Sequence, residues 1–484
     1  MNHKIVENFF YLSISKIISS VLGFFLFVYL AKVLGVENFG KYEFSLAICT
    51  IFNLIATCGL DKIGTREIAK IGIIDKIKIQ QFNNNIVSLR FFLSLISFIF
   101  LLVFVFFIPK SLDIKILIFL NGIAILISSF SLEWFFIGIE YMQIIGILNV
   151  IKQGLVLIFV YFFIKNSETL FLLPISTGGI FLICVCLYIL FYLKKWHRLK
   201  ISINFSVWKA LIKESYPVFF SSIMILLYLK FDTIMLGFLK TEKEVGIYSA
   251  IYRIILFFIA FRTIAINTIF PQLSKYCKTS KDKLINIINF SQKISIMVVL
   301  PLGVSCTILA NKIILLLYGH QYLQGTIVFQ ILIWDFVILG INFIFPQFII
   351  AYNKQKIHMY VAIIGAVVNI ILNFFFIPKY GIEGAAFATL IVDVIAFIIF
   401  YIQTKKIVNI KISQFIIVPL FCAILMGFCM FCFIQINVLL VIFFAGTIYT
   451  ILLIMFRYIK KEDILLFLEI VLKRNNYEKA DTDL

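Results

Sequence analysis

Apolar residues fall along this chain in long runs, interrupted by a few polar or charged residues at a time. A helix needs about 20 such residues to cross a bilayer. The pattern predicts fourteen transmembrane helices, over 8–33, 39–60, 82–108, 112–138, 143–164, 169–193, 216–239, 247–271, 288–309, 325–350, 359–378, 382–403, 413–433 and 437–457. The expected fold class is an all-α polytopic membrane protein. An even number of spans places both termini on one side. Basic residues accumulate in alternate loops (Lys62, Arg66, Lys70, Lys76 and Lys78; then Lys194, Lys195, Arg198, Lys200, Lys209 and Lys213), whereas the opposite loops hold only Lys110, Lys165, Lys240, Lys243, Lys312 and Lys379. The positive-inside bias then puts both termini in the cytoplasm.

No loop is long enough to form a domain. Two inside segments, 61–81 and 197–215, space apolar residues (Ile68, Ile71, Ile74; Val207, Leu211, Ile212) among lysines and are expected to lie on the bilayer surface as amphipathic helices. The tail KRNNYEKADTDL has the composition of a disordered segment.

Two stretches echo one another across the chain. YLAKVLGVENFGKYEFSLAI (29–48) and MLGFLKTEKEVGIYSAIYRI (235–254) share an apolar exit, a short turn with a Glu, and Gly-x-Tyr, at an offset of 206 residues. FFIGIEYMQ (135–143) pairs more weakly with FIIAYNKQK (348–356) at a similar offset. Both offsets correspond to six spans, so the expected organisation is an N-terminal six-helix lobe (1–195), a cytoplasmic linker (196–215), a second six-helix lobe (216–404), two additional helices (405–457) and a cytoplasmic tail (458–484). Repeats of this kind suit transporters with a site near the midplane between the halves.

Composition narrows the class. At 484 residues, 62% hydrophobic and 14% charged, with mean hydropathy +1.08, the chain is too apolar for a soluble domain. The net charge of +19 would otherwise suggest nucleic acid, but its basic residues lie in the loops, where membrane orientation explains them; no nucleic-acid partner is expected. Nine scattered cysteines without CxxC read as small hydrophobes, and the first apolar run is too long for a cleavable signal and lacks a small-residue cleavage site. The 56 phenylalanines are consistent with an AT-rich genome and are not read as sugar-stacking residues. No phosphate-cradling loop, metal cluster or nucleophile–base set appears, so no cofactor, metal or enzymatic activity is expected.

Ionisable residues inside apolar spans are functional candidates, because each must find a partner or water. They are Lys16, Arg90, Glu133, Lys152, Lys230, Asp232, Arg253, Arg262, Lys293, Asp335 and Asp393. Basic groups predominate, which describes a cationic lumen suited to an anion. Arg can grip phosphate oxygens with two nitrogens. Lys16, Lys152 and Lys293 lie close enough to span ends to snorkel instead. Lys230 and Asp232 point to different sides of a helix and cannot satisfy each other well; Arg253 and Arg262 are about half a turn out of phase, with Arg262 the deeper. Asp232, Asp335 and Asp393 have two readings, as structural counter-ions or as a proton or Na⁺ coupling site. Pro217, Pro271, Pro301 and Pro346 can kink or hinge helices, and GIEGAAFA (381–388) would let two helices approach closely.

NFFYLSISKIISSVLGFFLFVYLAKVLGVENFGKYEFSLAI, then GLDKIGTREIAK, FDTIMLGFLKTEKEVGIYSAIYRI and NFFFIPKYGIEGAAFAT, in that order, resemble Wzx-type (RfbX-like) polysaccharide flippases, in the multidrug/oligosaccharidyl-lipid/polysaccharide exporter superfamily. The resemblance runs from residue 8 to about 404. It implies a V-shaped bundle of two six-helix lobes and alternating access. The implied cargo is an undecaprenyl-pyrophosphate-linked oligosaccharide moved from the cytoplasmic to the outer leaflet of the bacterial plasma membrane, with polymerase and chain-length machinery as partners. On this reading Arg90, Arg262 and Lys230 hold the pyrophosphate or acidic sugars, with Arg253, Lys16 and Lys152 also in the cationic lumen. Asp232, Asp335, Asp393 and Glu133 supply counter-charge or ion coupling. A lipid II flippase is the nearest alternative; a membrane polymerase or ligase would be expected to carry a large outside loop, and a drug exporter would not suit a basic lumen.

Overall fold

The computed structural model describes residues 2–458, apart from 73, 74, 197, 198, 409, 434 and 436. The tail expected to be disordered, 473–484, lies outside the described residues. The fold is all-α, with no strand among the described residues. Sixteen helices follow in order: α1 (Asn2–Thr57), α2 (Leu60–Ile71), α3 (Lys76–Phe107), α4 (Leu112–Ser128), α5 (Glu133–Gly138), α6 (Met142–Phe163), α7 (Leu172–Lys195), α8 (Phe205–Leu239), α9 (Glu242–Thr279), α10 (Lys281–Ile308), α11 (Ala310–Tyr318), α12 (Thr326–Ile341), α13 (Phe345–Ala351), α14 (Gln355–Lys405), α15 (Ser413–Cys432) and α16 (Val438–Met455).

Eleven segments are long and apolar enough to span a membrane, and Leu440–Met455 is a shorter apolar helix. Two of the eleven are double. α1 breaks at Gly35 (φ 74°, ψ 170°) and α14 at Gly381 (φ 56°, ψ −131°), backbone conformations that a residue without Cβ adopts at little cost. Counting those breaks, the fourteen runs of the sequence are all found as helices among the described residues. Two runs are interrupted. The fourth divides into α4 and α5, and the tenth into α12 and α13.

The turns that follow the two short helices are the same device used twice. Each short helix ends on a residue with left-handed backbone, Glu140 (φ 61°) and Asn353 (φ 60°). The next amide reaches back five residues in both: Tyr141 N–H donates to Phe136 O and Lys354 N–H to Ile349 O, each at 2.9 Å. The weak echo around 135–143 and 348–356 is therefore a repeated backbone turn. The stronger echo is repeated too. A Cβ on Gly40 would lie 1.8 Å from the carbonyl oxygen of Glu242, and a Cβ on Gly246 would lie 2.0 Å from that of Val36. The two contacts are reciprocal at the 206-residue offset, so the two Gly-x-Tyr junctions cross backbone to backbone about a local two-fold axis.

That crossing belongs to the larger of two compact units, Lys4–Phe257 with Ala362–Ala385. One core of this unit joins Leu60, Ile63 and Ile68 of α2 to Trp134 and Phe135, and carries Tyr192, Trp196, Trp208 and Leu211. Gly64 lies so close to Trp134 that a Cβ there would sit 2.4 Å from the ring. The segments expected on the bilayer surface thus turn much of their apolar face onto protein: Ile68 is fully buried, although Ile212 stays exposed; Ile74 lies outside the described residues. Arg66 on α2 pairs with Glu214 on α8 and fixes the arrangement from the polar side.

The second unit contains Phe258–Val361 and the described residues from Ala386 onward. α10 is its centre. Gln292 and Ser295 each donate to carbonyls at the end of α12 (Ile341 O and Gly340 O, both 2.7 Å). Tyr449 of α16 donates to Met297 O at 2.9 Å, and Gly427 of α15 is in close contact with Val304.

Candidate functional site

Helices α1, α4, α6 and α7 of the larger unit line an open cavity of ≈ 380 Å³. Its wall is mainly apolar (Leu26, Phe27, Leu30, Val156, Phe181), with Tyr42, Thr50, Asn53, Asn121, Ser128, Lys152, Gln153 and Thr177 set into it. Several of these polar groups hold each other: Ser128 Oγ donates to Asn53 Oδ1 and Asn121 Nδ2 to Ser45 Oγ, both at 2.9 Å. Among the described residues, Lys152 is the only charged one in the lining. Its ammonium is 5.9 Å from the Phe181 ring centroid, with no carboxylate at ion-pair distance among the described residues. An apolar chamber with a few convergent polar groups is the general form of a small-molecule site, and this one carries positive charge.

A second charged group sits at its edge. Arg253 of α9 packs flat on Phe27, guanidinium carbon 3.5 Å from the ring centroid, and Phe27 lines the cavity. Nη2 of Arg253 donates to both carboxylate oxygens of Glu43, at 2.7 and 3.0 Å. Glu43 is almost completely buried. Lys230, half-buried on α8, is in electrostatic reach of both, and has no direct ion-pair partner among the described residues. Further out, Lys110 pairs with Glu242 at 2.8 Å, and Lys41 with Glu37 and Asp113 at 3.2 and 3.3 Å.

Asp232 is handled differently. Tyr248 donates to its Oδ2 at 2.7 Å and Asn373 to its Oδ1 at 2.6 Å, while Asn373 also donates to Asn369 at 3.0 Å. All four groups are buried. At the repeat offset, Tyr248 and Asp232 correspond to Tyr42 and Leu26, which line the cavity. The first repeat keeps open space where the second holds a polar cluster.

The remaining candidates are scattered. Arg90 is buried and committed to backbone: it donates to Ser128 O and Ser131 O, both at 2.9 Å, where α4 ends, and pairs with Asp61 at 3.2 Å. It closes off carbonyls that the helix end leaves unpaired. Lys16 is exposed on α1, and Glu133 begins α5, where a carboxylate complements the helix dipole. Arg262, Asp335, Asp393 and Lys293 belong to the second unit. Asp335 and Asp393 are buried there, and Lys293 lies 4.7 Å from the Tyr458 ring centroid. The residue that sequence reasoning missed is Glu43. It directly follows Gly-x-Tyr of the first echo, inside the second apolar run, and that position was its signal.

The family of sequences described as polysaccharide biosynthesis protein matches residues 5–277, more than half of the chain. The chain belongs to that family. It is a polysaccharide flippase of the exporter superfamily that the sequence motifs indicated. A second family of the same superfamily, MatE, matches residues 217–375. Over 419 residues the chain is 23% identical to the capsular polysaccharide biosynthesis protein CapF of Staphylococcus aureus, covering 83% of this chain and all of that one. The probable low-salt glycan biosynthesis flippase Agl15 of Haloferax volcanii is 26% identical over 33% of the chain and 34% of its own length. Among solved structures, the lipid II flippase MurJ in an inward closed conformation superposes with a TM-score of 0.75 at 18% identity, over 92% of this chain and 98% of that chain. An inward-facing MATE family multidrug resistance transporter follows at 0.63 and 15%, over 82% and 95%. These likenesses show the fold. The polysaccharide flippase is a multi-pass membrane protein, and the families and folds it matches are those of transporters.

Proposed function

We propose that this flippase moves undecaprenyl-pyrophosphate-linked oligosaccharide units from the cytoplasmic to the outer leaflet of a bacterial plasma membrane, by alternating access, with both termini in the cytoplasm. The observation that supports this most directly is the excess of positive charge around the cavity. Lys152 lines it with no carboxylate at ion-pair distance among the described residues, and Arg253 stands at its edge on Glu43. A buried cation lacking an equal counter-charge favours an anionic ligand, and a pyrophosphate carries several negative charges. The same field disfavours cationic drugs. The polar groups near Lys152 (Asn53, Asn121, Gln153) provide hydrogen bonds of the kind a sugar needs, whereas the lipid tail requires no pocket, since it can remain in the bilayer.

Asp232 is the carboxylate we assign to ion coupling. It is buried among helices of the larger unit and accepts hydrogen bonds from Tyr248 and Asn373, which places a carboxylate inside the spans. Protonation or a bound Na⁺ would change the charge held there. Asp232→Asn is expected to abolish transport driven by an ion gradient while leaving the protein inserted. Transport unchanged in Asp232→Asn would remove the coupling role. A polysaccharide polymerase and its chain-length machinery are the proposed downstream partners. Lipid II is the competing cargo, supported by the pyrophosphate it shares. Reconstituted vesicles loaded with each lipid-linked substrate distinguish the two: flipping of the oligosaccharide lipid supports this assignment, and flipping of lipid II alone contradicts it.

A further inference from the structure

The Glu43–Arg253 pair is incomplete in a way that suggests exchange. A guanidinium engages a carboxylate or phosphate most fully with two nitrogens side by side. Here Nη2 alone meets both oxygens of Glu43, at 2.7 and 3.0 Å. Nη1 and Nε have no hydrogen-bond partner among the described residues, and the Arg253 side chain keeps 20% exposure while Glu43 keeps 2%. The guanidinium is held in place by Phe27, 3.5 Å below it, whose ring lines the cavity. Lys230 provides a second cation in electrostatic reach of the same carboxylate. Glu43 lies three residues beyond Gly40, and Arg253 seven beyond Gly246, so the pair ties the two repeats together beside their glycine crossing.

We propose that Glu43 is an internal stand-in for the anionic group of the cargo. It occupies Arg253 while the site is empty. A phosphate-class anion entering along the Phe27 wall takes the two unused nitrogens of Arg253 and displaces the carboxylate, which passes to Lys230. The transfer leaves neither Arg253 nor the displaced carboxylate without a counter-charge, avoiding the large penalty of an unpaired buried charge. It also removes the ion pair linking α1 to α9, so arrival of the anion loosens the crossing of the repeats. This inference rests on the proposed cargo only in taking its head group to be a pyrophosphate.

Binding of inorganic pyrophosphate to the full-length protein in lipid nanodiscs, followed by calorimetry, tests the exchange. Removing the competitor in Glu43→Gln should tighten binding at least tenfold over wild type, Glu43→Asp should fall between, and Arg253→Ala should lose binding. Equal or weaker binding by folded Glu43→Gln, or no binding by any form, overturns the proposal. Should Glu43→Gln not fold, Lys230→Ala decides: with no acceptor for the displaced carboxylate its affinity should drop several-fold, and unchanged affinity contradicts exchange. Glycerol 3-phosphate serves as the competing arm for a phospholipid headgroup. It is expected to bind much more weakly, and equal binding would refute a pyrophosphate site. Surface polysaccharide restored by the same proteins in cells is scored separately. Restoration without pyrophosphate binding sinks the exchange and leaves the function intact, whereas tight, Glu43-dependent binding without restoration sinks the cargo and leaves the exchange.

Discussion

Arg90 and Lys152 look alike as basic residues inside apolar runs, yet they do opposite work. Arg90 donates to two carbonyls at the end of α4 and meets Asp61; Lys152 lines a cavity without a carboxylate partner among the described residues. A hydrogen bond to a charged group contributes about 1.5–3 kcal/mol. Arg90→Ala should therefore lower thermal stability in detergent by a clearly measurable amount, and Arg90→Lys should recover only part of it. Lys152→Ala should leave unfolding nearly unchanged and abolish transport. A stable, transport-competent Arg90→Ala would mean that those carbonyls find other donors. The sequence shows that both residues need a partner, but not which, because the carbonyls come from a helix end about 40 positions away. Glu43 was legible in principle. It sits beside the first Gly-x-Tyr, and the aligned second echo has Ser249 in its place and Arg253 one turn further on.

Helices carry the repeat more clearly than individual side chains do. The echo of Gly40 and Gly246, read from a few letters, corresponds to a reciprocal contact in which each glycine faces the other repeat's carbonyl. Adding one methyl at either position forces the backbones apart, a kind of overpacking that typically costs about 1–3 kcal/mol. Gly40→Ala and Gly246→Ala should each destabilise the protein, and the double variant by less than the two effects combined, since the first methyl already opens the crossing. Strictly additive unfolding energies would show that the two glycines do not share one contact. The breaks between α4 and α5 and between α12 and α13 were not legible as breaks. The three serines at 128–131 interrupt the first run only briefly and the second stays mostly apolar, while the weaker echo marks the turns after α5 and α13 rather than the breaks. The apolar face of α2 was legible, but its partner was not: an amphipathic helix looks the same to a bilayer as to the Trp134 ring that covers it.

At the scale of the whole molecule, hydropathy alone accounts for the spans, because a helix in lipid must satisfy its backbone internally and present apolar residues over a fixed length. Function is less directly encoded. The candidate cations span the chain from Lys16 to Lys293, and the described structure brings two of them, Lys152 and Arg253, to the cavity or its edge, with Lys230 in electrostatic reach of the Arg253–Glu43 pair. The central claim is that this cationic site carries a lipid-linked oligosaccharide across the membrane. The most direct test expresses wild type, Lys152→Ala and Arg253→Ala in cells that lack their own repeat-unit flippase but make the native unit, and scores surface polysaccharide alongside membrane insertion. Restoration by wild type, with normally inserted but inactive variants, is the predicted result. Full restoration by both variants, or rescue by wild type of a lipid II flippase deletion alone, would contradict it.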